Sequence, residues 1–191
     1  FAPATVLGVS FSGELAYEIH IPNAHLYNAY KTLRKAGEAH GMRMFGAKAV
    51  DAMRMEKGFL HWKADILTEF DPFETGLDRF VKMDNGDFIG KAALEKRVAA
   101  GKTVQLVTME LDTKDAAAHG GASAMDGDDV VGTVTSGAWG YRIGKNLAYA
   151  FVKPEHSAEG TTVEVDVLGK RVPATVIPMG PYDPDYSLMR S

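Results

Sequence analysis

The sequence predicts an α+β fold in which a part with helices and strands is followed by a small antiparallel β-barrel or sandwich. In the first hundred residues apolar side chains recur at helical spacing, and from Thr103 onwards they alternate with polar ones. Gly, Asp and Asn cluster between the alternating segments, which is typical of short strands joined by turns. The change of period divides the chain into predicted domains at 1–101 and 102–191.

The first predicted element is a strand at about 5–10 that continues at 15–21 and ends at Pro22. Within it stands the alternating segment FSGELAYEIHIP, in which successive side chains point to opposite faces. We therefore expect Tyr17 to lie in the core and Glu18 to face away from it.

An amphipathic helix is predicted next, with Asn23 as its N-cap. Its apolar face contains Leu26, Tyr30 and Leu33, which recur at helical spacing. Gly41 is the predicted C-terminal stop.

Two shorter helices follow. The segment FGAKAVDAMRMEKG predicts a helix that ends at Gly58, before a loop or strand with His61 and Trp62. Pro72 and Gly76 interrupt the next segment, which predicts a loop with at most a short helix. The other helix is predicted over 90–99.

Five alternating segments predict the strands of the second domain. They are TVQLVTMEL, VVGTVTSG, LAYAFV, TTVEVDV and RVPATVI. Turns are predicted at Leu168-Gly169-Lys170, at DGDD (126–129), and around Gly137, Gly140 and Gly144.

Composition narrows the range of functions. The chain of 191 residues has a net charge of −4 and no cysteine, so disulfides and thiolate metal sites are excluded. Its charges are mixed rather than basic, which argues against a nucleic-acid partner. No apolar run approaches the roughly 20 residues of a spanning helix, so no membrane partner is expected. The six histidines lack metal-ligand spacing, and we predict no metal site.

Two segments resemble short catalytic or phosphate-binding motifs, but neither matches its motif. GVSFSG has Ser12 where a nucleophile elbow needs glycine. WGYRIGKN is one residue too short for a phosphate loop and ends in Asn146. The residues by themselves therefore indicate an α/β chain with a β-rich tail and no complete catalytic site.

Several motifs in order resemble the folate-binding aminomethyltransferase family, which includes the T-protein of the glycine cleavage system. FSGELAYEI (11–19) matches an aromatic-x-Gly-Glu-x-x-x-Glu-Ile strand, and DAMRMEKG (51–58) matches an Asp-x-Leu-Arg-Leu-Glu-x-Gly helix. GTVTSG (132–137) and GKNLAYAFV (144–152) are similar to the family's C-terminal barrel. EKGFLHWKADI, FVKMDNGDFIGKAAL and PYDPDYSLMR look most like the fused branch, the C-terminal part of dimethylglycine and sarcosine dehydrogenases.

The resemblance implies a folate site. Glu18 matches a carboxylate that holds the pterin, whose neighbouring exocyclic NH2 and ring N–H suit the two oxygens of a carboxylate. Without the resemblance, Glu18 is a solvent-facing strand residue. Phe11 stands where relatives have a tyrosine that contacts folate, with core packing as the alternative. Val50 replaces an arginine of the stand-alone T-proteins.

Three more residues enter the predicted folate-binding set. Arg54 pairs with a carboxylate or orients Glu18, unless it only forms a helix-surface ion pair. Trp62 lines the folate channel or packs in the core. Tyr186, together with Tyr182, matches an aromatic region that closes the site in relatives. The family's catalytic aspartate lies upstream of the matching region, so no catalytic residue is assigned to this chain.

The implied function is tetrahydrofolate-dependent aminomethyl (one-carbon) transfer that forms 5,10-methylenetetrahydrofolate from a small N-methyl amine. FAD is expected only on an N-terminal part of the same polypeptide that precedes this chain. The alternatives are a non-catalytic folate-binding or structural module and a folate-dependent demethylase. We expect an isolated chain to be inactive and to self-associate through an uncovered face. The expected location is the cytoplasm, or the mitochondrial matrix in a eukaryote.

Overall fold

The structure is a computed structural model that describes residues 2–188. Its helices and strands confirm the predicted α+β class with a C-terminal barrel. In chain order they are β1 (Thr5–Leu7), β2 (Glu18–His20), α1 (Leu26–Glu38), α2 (Ala47–Lys57), α3 (Lys91–Ala100), β3 (Gln105–Leu111), β4 (Ser123–Asp126), β5 (Asp129–Gly140), β6 (Lys145–Val152), β7 (Thr162–Val167) and β8 (Lys170–Ile177). Short 3-10 turns precede α1, cover 78–80 and follow β6.

The first strands are shorter than predicted. β1 and β2 form an antiparallel pair in which Val6 lies opposite Ile19, and residues 8–17 form the connection. Tyr17 was predicted to be a core residue, and this is wrong because its side chain is 63% exposed. The alternation of apolar and polar residues at 15–21 therefore does not separate a buried face from a solvent-exposed one, because β2 is exposed on both faces.

α1 occupies the predicted position, but Asn23 does not cap it. Asn23 begins a 3-10 turn, and no side-chain hydrogen bond caps either the turn or the helix. None of the residues of α1 is buried, including its apolar positions Leu26, Tyr30 and Leu33.

α2 ends at Gly58, as predicted. Gly58 adopts a left-handed conformation with φ of 80°, and its N–H donates to the carbonyl of Met55. The next N–H, that of Phe59, donates to the carbonyl of Arg54 at 2.8 Å. This pair of bonds is a Schellman motif, and it turns the chain sharply into the segment 59–66.

Six strands form a closed antiparallel barrel in the order β3-β6-β5-β4-β7-β8. Closure pairs β8 with β3, so the sheet has no free edge. All five predicted strands are present, and β4 is an additional one. The predicted turns at 126–129 and at Leu168-Gly169 also exist. Gly137 and Gly140 lie within β5 rather than in a turn.

β6 explains how the barrel meets the rest of the molecule. Its residues Ala148, Ala150 and Val152 fill the barrel interior. Leu147, Tyr149 and Phe151 point outwards, where they pack in a second cluster with Met55 of α2. The continuous apolar sequence of β6 is thus buried on both faces. The Tyr149 hydroxyl donates to the carbonyl of Met55 at 2.8 Å, and burial raises the pKa of this phenol.

Candidate functional site

Aromatic rings from three separate parts of the chain meet beyond the end of α2. The ring of Phe11 is parallel to that of Phe59, with centroids 6.5 Å apart. His61 also contacts Phe11, and Tyr186 approaches Phe59 with ring centroids 6.4 Å apart. Two of the predicted folate residues, Phe11 and Tyr186, are therefore brought together through Phe59.

A cavity of about 240 Å³ adjoins these rings. We call it the aromatic pocket. Its lining includes Phe11, Phe59, Leu60, Leu77, Met179 and Arg79. The walls are mainly apolar and aromatic, so the pocket suits a flat, largely apolar ring system.

The C-terminal tail, residues 179–188, is held beside the aromatic pocket by a buried ion pair. Lys57 Nζ donates to Asp183 Oδ2 at 2.7 Å and also to the Asp183 carbonyl, and both side chains are buried. The ammonium lies 4.1 Å from the centre of the Tyr186 ring. Hydrogen bonds from Lys57 and then Ser187 lower the pKa of Asp183 to about 2.

The lysine needs Gly13 beside it. Gly13 has φ of +80°, and a Cβ there would lie 2.8 Å from Lys57 Cβ and Cγ. The glycine of the FSGE motif therefore lets the lysine side chain pass beneath the segment that carries Phe11.

A second ionic group ties the tail to the β5–β6 turn. Arg142 Nε donates to Glu56 Oε2 at 2.5 Å, and its Nη1 donates to Glu14 Oε1 at 2.6 Å. The guanidinium lies over the ring of Tyr182, whose hydroxyl donates to Glu14 at 2.8 Å. This hydrogen bond raises the pKa of Tyr182. Burial opposes the charge of Arg142, but the hydrogen bonds that it donates to both glutamates outweigh this effect and raise the Arg142 pKa.

Arg54 lies in a buried polar network. Its Nη1 donates to Asp65 Oδ2 at 2.5 Å, and its Nη2 donates to Ser136 Oγ at 2.9 Å. Asp65 is fully buried and also accepts hydrogen bonds from Thr135 Oγ1 and the His61 backbone N–H. Arg54 thus pairs with the buried carboxylate of Asp65, and it also forms the predicted ion pair with Asp51 on its own helix at 3.3 Å. The pairing with Asp65 fixes the segment 59–66.

Glu18 and Trp62 are largely exposed in the structure. The Glu18 carboxylate is 57% exposed and accepts a hydrogen bond from His20 at 3.3 Å. Trp62 is 59% exposed, and its backbone forms a bridge with Ile66. Within residues 2–188, neither a ring contact nor a hydrogen bond joins these two side chains to Phe11, Phe59 or Tyr186.

Sequence reasoning missed several residues of this region. Asp65 and the Lys57–Asp183 pair each join positions that are distant in sequence, so only the folded chain reveals them. The position of Phe59 could have been noticed in the sequence, because it directly follows Gly58, which ends the helix. Among the described residues no group of three or more acidic or His side chains has the geometry of a metal site. Over the same residues, no helix is both long and apolar enough to cross a bilayer.

The fold and motifs match one known family. A family model described as the GCVT N-terminal domain matches residues 1–85, and one described as the glycine cleavage T-protein C-terminal barrel domain matches residues 88–183. The chain belongs to the glycine cleavage T-protein family. This confirms the resemblance that the motifs at 11–19 and 51–58 indicated.

Named relatives agree with this assignment. Dimethylglycine dehydrogenase of Rattus norvegicus is 38% identical over 176 residues, which are 92% of this chain and 20% of the rat protein. Trimethylamine-oxide aldolase of Ruegeria pomeroyi is 36% identical over 194 residues, covering 99% of this chain and 24% of that protein. Sarcosine dehydrogenases and aminomethyltransferases are also similar. The chain thus spans about a fifth to a quarter of the first two relatives.

A solved structure shares the fold. The glycine cleavage system aminomethyltransferase T of Bartonella henselae superposes with a TM-score of 0.82 at 23% identity. The superposition covers 93% of this chain and 49% of the other. The T-protein architecture, an α+β domain followed by a barrel, is therefore present in this chain.

Proposed function

We propose that this chain binds tetrahydrofolate and serves as the folate-binding part of a larger flavoprotein that resembles dimethylglycine or sarcosine dehydrogenase. The observation that supports it best is the aromatic pocket, where Phe11 of a family motif meets Phe59 and Tyr186. The similarity to dimethylglycine dehydrogenase over 92% of the chain supports the assignment to the fused branch of the family, in which a flavin domain precedes the folate-binding part.

The residues present fit a reduced folate. The pyrimidine ring of its pterin and its aminobenzoyl ring are flat, and the pocket offers them the faces of Phe11 and Phe59. The pterin edge presents two neighbouring donors, and a carboxylate can accept both. Glu18 is suited to this because its carboxylate is accessible and His20 is its hydrogen-bond partner in the described structure.

Each predicted residue has a proposed part. Glu18 accepts the pterin donors, while Phe11 and Tyr186 stack on the rings. Arg54 acts through Asp65 by holding the segment that carries Phe59. Trp62, which is exposed in the same segment, is proposed to cover the bound folate.

The proposed reaction is the transfer of one carbon from a small N-methyl amine, with 5,10-methylenetetrahydrofolate as the product. Tetrahydrofolate supplies N5 and N10 as acceptors of the carbon. FAD, which supplies the oxidation of the amine, is placed on an N-terminal part of the polypeptide outside this chain. This chain orients the acceptor and keeps water from it. We assign no catalytic residue to it, and we propose that it is inactive alone.

A second candidate is a demethylase or aldolase on the same scaffold. The similarity to trimethylamine-oxide aldolase over 99% of the chain favours it. Both functions use the same proposed folate pocket, and the substrate amine distinguishes them. The third candidate is a non-catalytic folate-binding module. An activity assay of the polypeptide with its N-terminal part would decide whether the whole protein is a catalyst.

We also propose that the chain divides into a folate-binding part at 1–101 and a barrel part at 102–191. An upstream segment of the same polypeptide is the proposed partner of the folate-binding part. Large apolar side chains such as Tyr27 and Phe45 are exposed there. The same surface leads us to propose self-association, and light scattering of the chain at high concentration would reveal oligomers. A monodisperse monomer would contradict it.

The mitochondrial matrix is the proposed location in a eukaryote, because the rat relative is mitochondrial.

Calorimetric titration with 5-formyltetrahydrofolate tests the proposed function. We expect Glu18→Gln to weaken binding about tenfold, or about 1.4 kcal/mol, since one oxygen of the fork becomes an NH2 donor. Glu38→Gln on the exposed face of α1 removes the same charge and is the control. Equal binding by both variants would contradict the role of Glu18, and no binding by the unaltered chain would contradict folate binding.

A further inference from the structure

One charged side chain lines the aromatic pocket. Arg79 belongs to the short 3-10 turn at 78–80, and among the described residues that form the pocket wall it alone is charged. The other lining residues are apolar or neutral, and they include the parallel rings of Phe11 and Phe59. The pocket thus combines an aromatic, apolar floor with a single positive charge.

Among residues 2–188, no anionic group is a partner of the Arg79 guanidinium. It forms neither an ion pair nor a hydrogen bond with these residues, and its guanidinium lies 4.9 Å from the centre of the Phe80 ring. Arg54 and Arg142, by contrast, each pair with buried carboxylates. The donors of Arg79 are therefore available to a ligand, while those of Arg54 and Arg142 are largely used within the protein.

Contact with Phe80 leaves the guanidinium edge open. A guanidinium that packs on an aromatic ring still presents its N–H groups, and their planar fork matches the two oxygens of a carboxylate. Arg79 is surface-exposed, so it lies where the pocket meets solvent. A matching ligand has a flat ring system in the pocket and a carboxylate at its outer end.

We propose that Arg79 binds a carboxylate of the glutamate moiety of folate and so selects ligands that carry this anionic tail. This rests on the proposed folate function and adds to it a specificity-determining residue. In this arrangement Phe11 and Phe59 hold the rings, and Arg79 recognises the tail at the pocket mouth. Ligands with the same rings and no tail gain nothing from Arg79.

The test compares two ligands that differ only in the tail. The chain, its Arg79→Ala variant and an Arg97→Ala control are titrated with 5-formyltetrahydrofolate and with 5-formyltetrahydropteroyl amide, in which a neutral carboxamide replaces the glutamate. Arg97 is an exposed arginine on α3 that does not line the pocket. Its replacement by alanine changes the net charge by the same amount as Arg79→Ala and leaves the pocket intact. We expect Arg79→Ala to weaken binding of 5-formyltetrahydrofolate about fivefold and to leave binding of the neutral amide unchanged, and we expect 0.5 M salt to reduce the difference.

The other outcomes overturn the inference in distinguishable ways. An equal loss for both ligands would show that Arg79 only supports the pocket wall. No loss for either, or an equal loss in the Arg97→Ala control, would remove Arg79 from the site. If the unaltered chain binds neither ligand, the proposed function fails and this inference fails with it.

Discussion

The barrel and the N-terminal lobe, which we define as residues 2–45, contrast in how they use apolar side chains. In the barrel, Leu147, Ala148, Tyr149 and Ala150 are all fully buried. In the lobe, α1 has no buried residue, and Leu33 is 45% exposed. Apolar residues recur regularly in both regions, so regular spacing alone does not ensure burial. The barrel closes on itself, whereas the apolar face of α1 is left uncovered by the described residues.

The candidate site lies between these two regions. Phe11 comes from the lobe, whereas Phe59 directly follows α2 and Tyr186 belongs to the C-terminal tail. Three ionic groups, at Lys57, Arg142 and Arg54, hold the second set in place. The segment that carries Phe11 is anchored as well, because Arg142 also pairs with Glu14, whereas the rest of the lobe has little burial.

Asp65→Ala should have the largest effect on stability. It leaves the buried Arg54 without its main counter-charge, and removing one partner of a buried ion pair costs about 3–5 kcal/mol. Asp51→Ala is the matched control, because Asp51 also pairs with Arg54 but is 45% exposed, and it should cost less than about 1 kcal/mol. Urea unfolding measures both, and equal costs would contradict the anchoring role of Asp65.

Leu147→Ala and Leu33→Ala test the contrast between barrel and lobe directly. The first removes a fully buried side chain from the cluster against α2, so we expect a loss of about 2–5 kcal/mol in unfolding free energy. The second changes a half-exposed position of α1, and we expect less than about 1 kcal/mol. Comparable losses in thermal and urea unfolding would mean that the lobe is covered in solution.

Asp183→Asn should have a local effect confined to the tail. The variant weakens the contact with Lys57, so limited proteolysis should cut within 179–188 faster while the barrel stays intact. The Asp183 pKa is lowered to about 2 from 3.8, so the ion pair contributes fully above pH 4. Its contribution is lost as the pH falls from about 4 to 2. Tail cleavage in the unaltered chain that already rises at pH 5 to 6 would contradict this assignment.

Much of the fold was predictable because each element repeats a clear pattern. α2 and α3 end at glycines, and five barrel strands alternate visibly. β4 was missed because its sequence, SAMD, lacks the β-branched and aromatic residues that mark strands. Only its pairing with β5 and β7 makes it a strand. Tyr17 was misplaced because alternation does not reveal whether another layer covers the strand.

The site was predictable only where it coincides with motifs. Phe11 and Arg54 belong to recognisable segments, and Tyr186 lies in a tail resembling the fused branch, although Met189 and Arg190 of that segment lie outside the described residues. The pairing of Lys57 with Asp183 spans 126 positions, and no local pattern indicates it. Arg79 has no motif either, and only the shape of the pocket makes it a candidate.

Hydrogen exchange with and without 5-formyltetrahydrofolate tests the central claim most directly, because it locates the ligand on the chain. If folate binds at the aromatic pocket, exchange should slow in segments 8–18, 58–66 and 179–188 and remain unchanged in the barrel strands β4 and β7. Protection confined to the barrel, or none at a saturating concentration of ligand, would contradict the account.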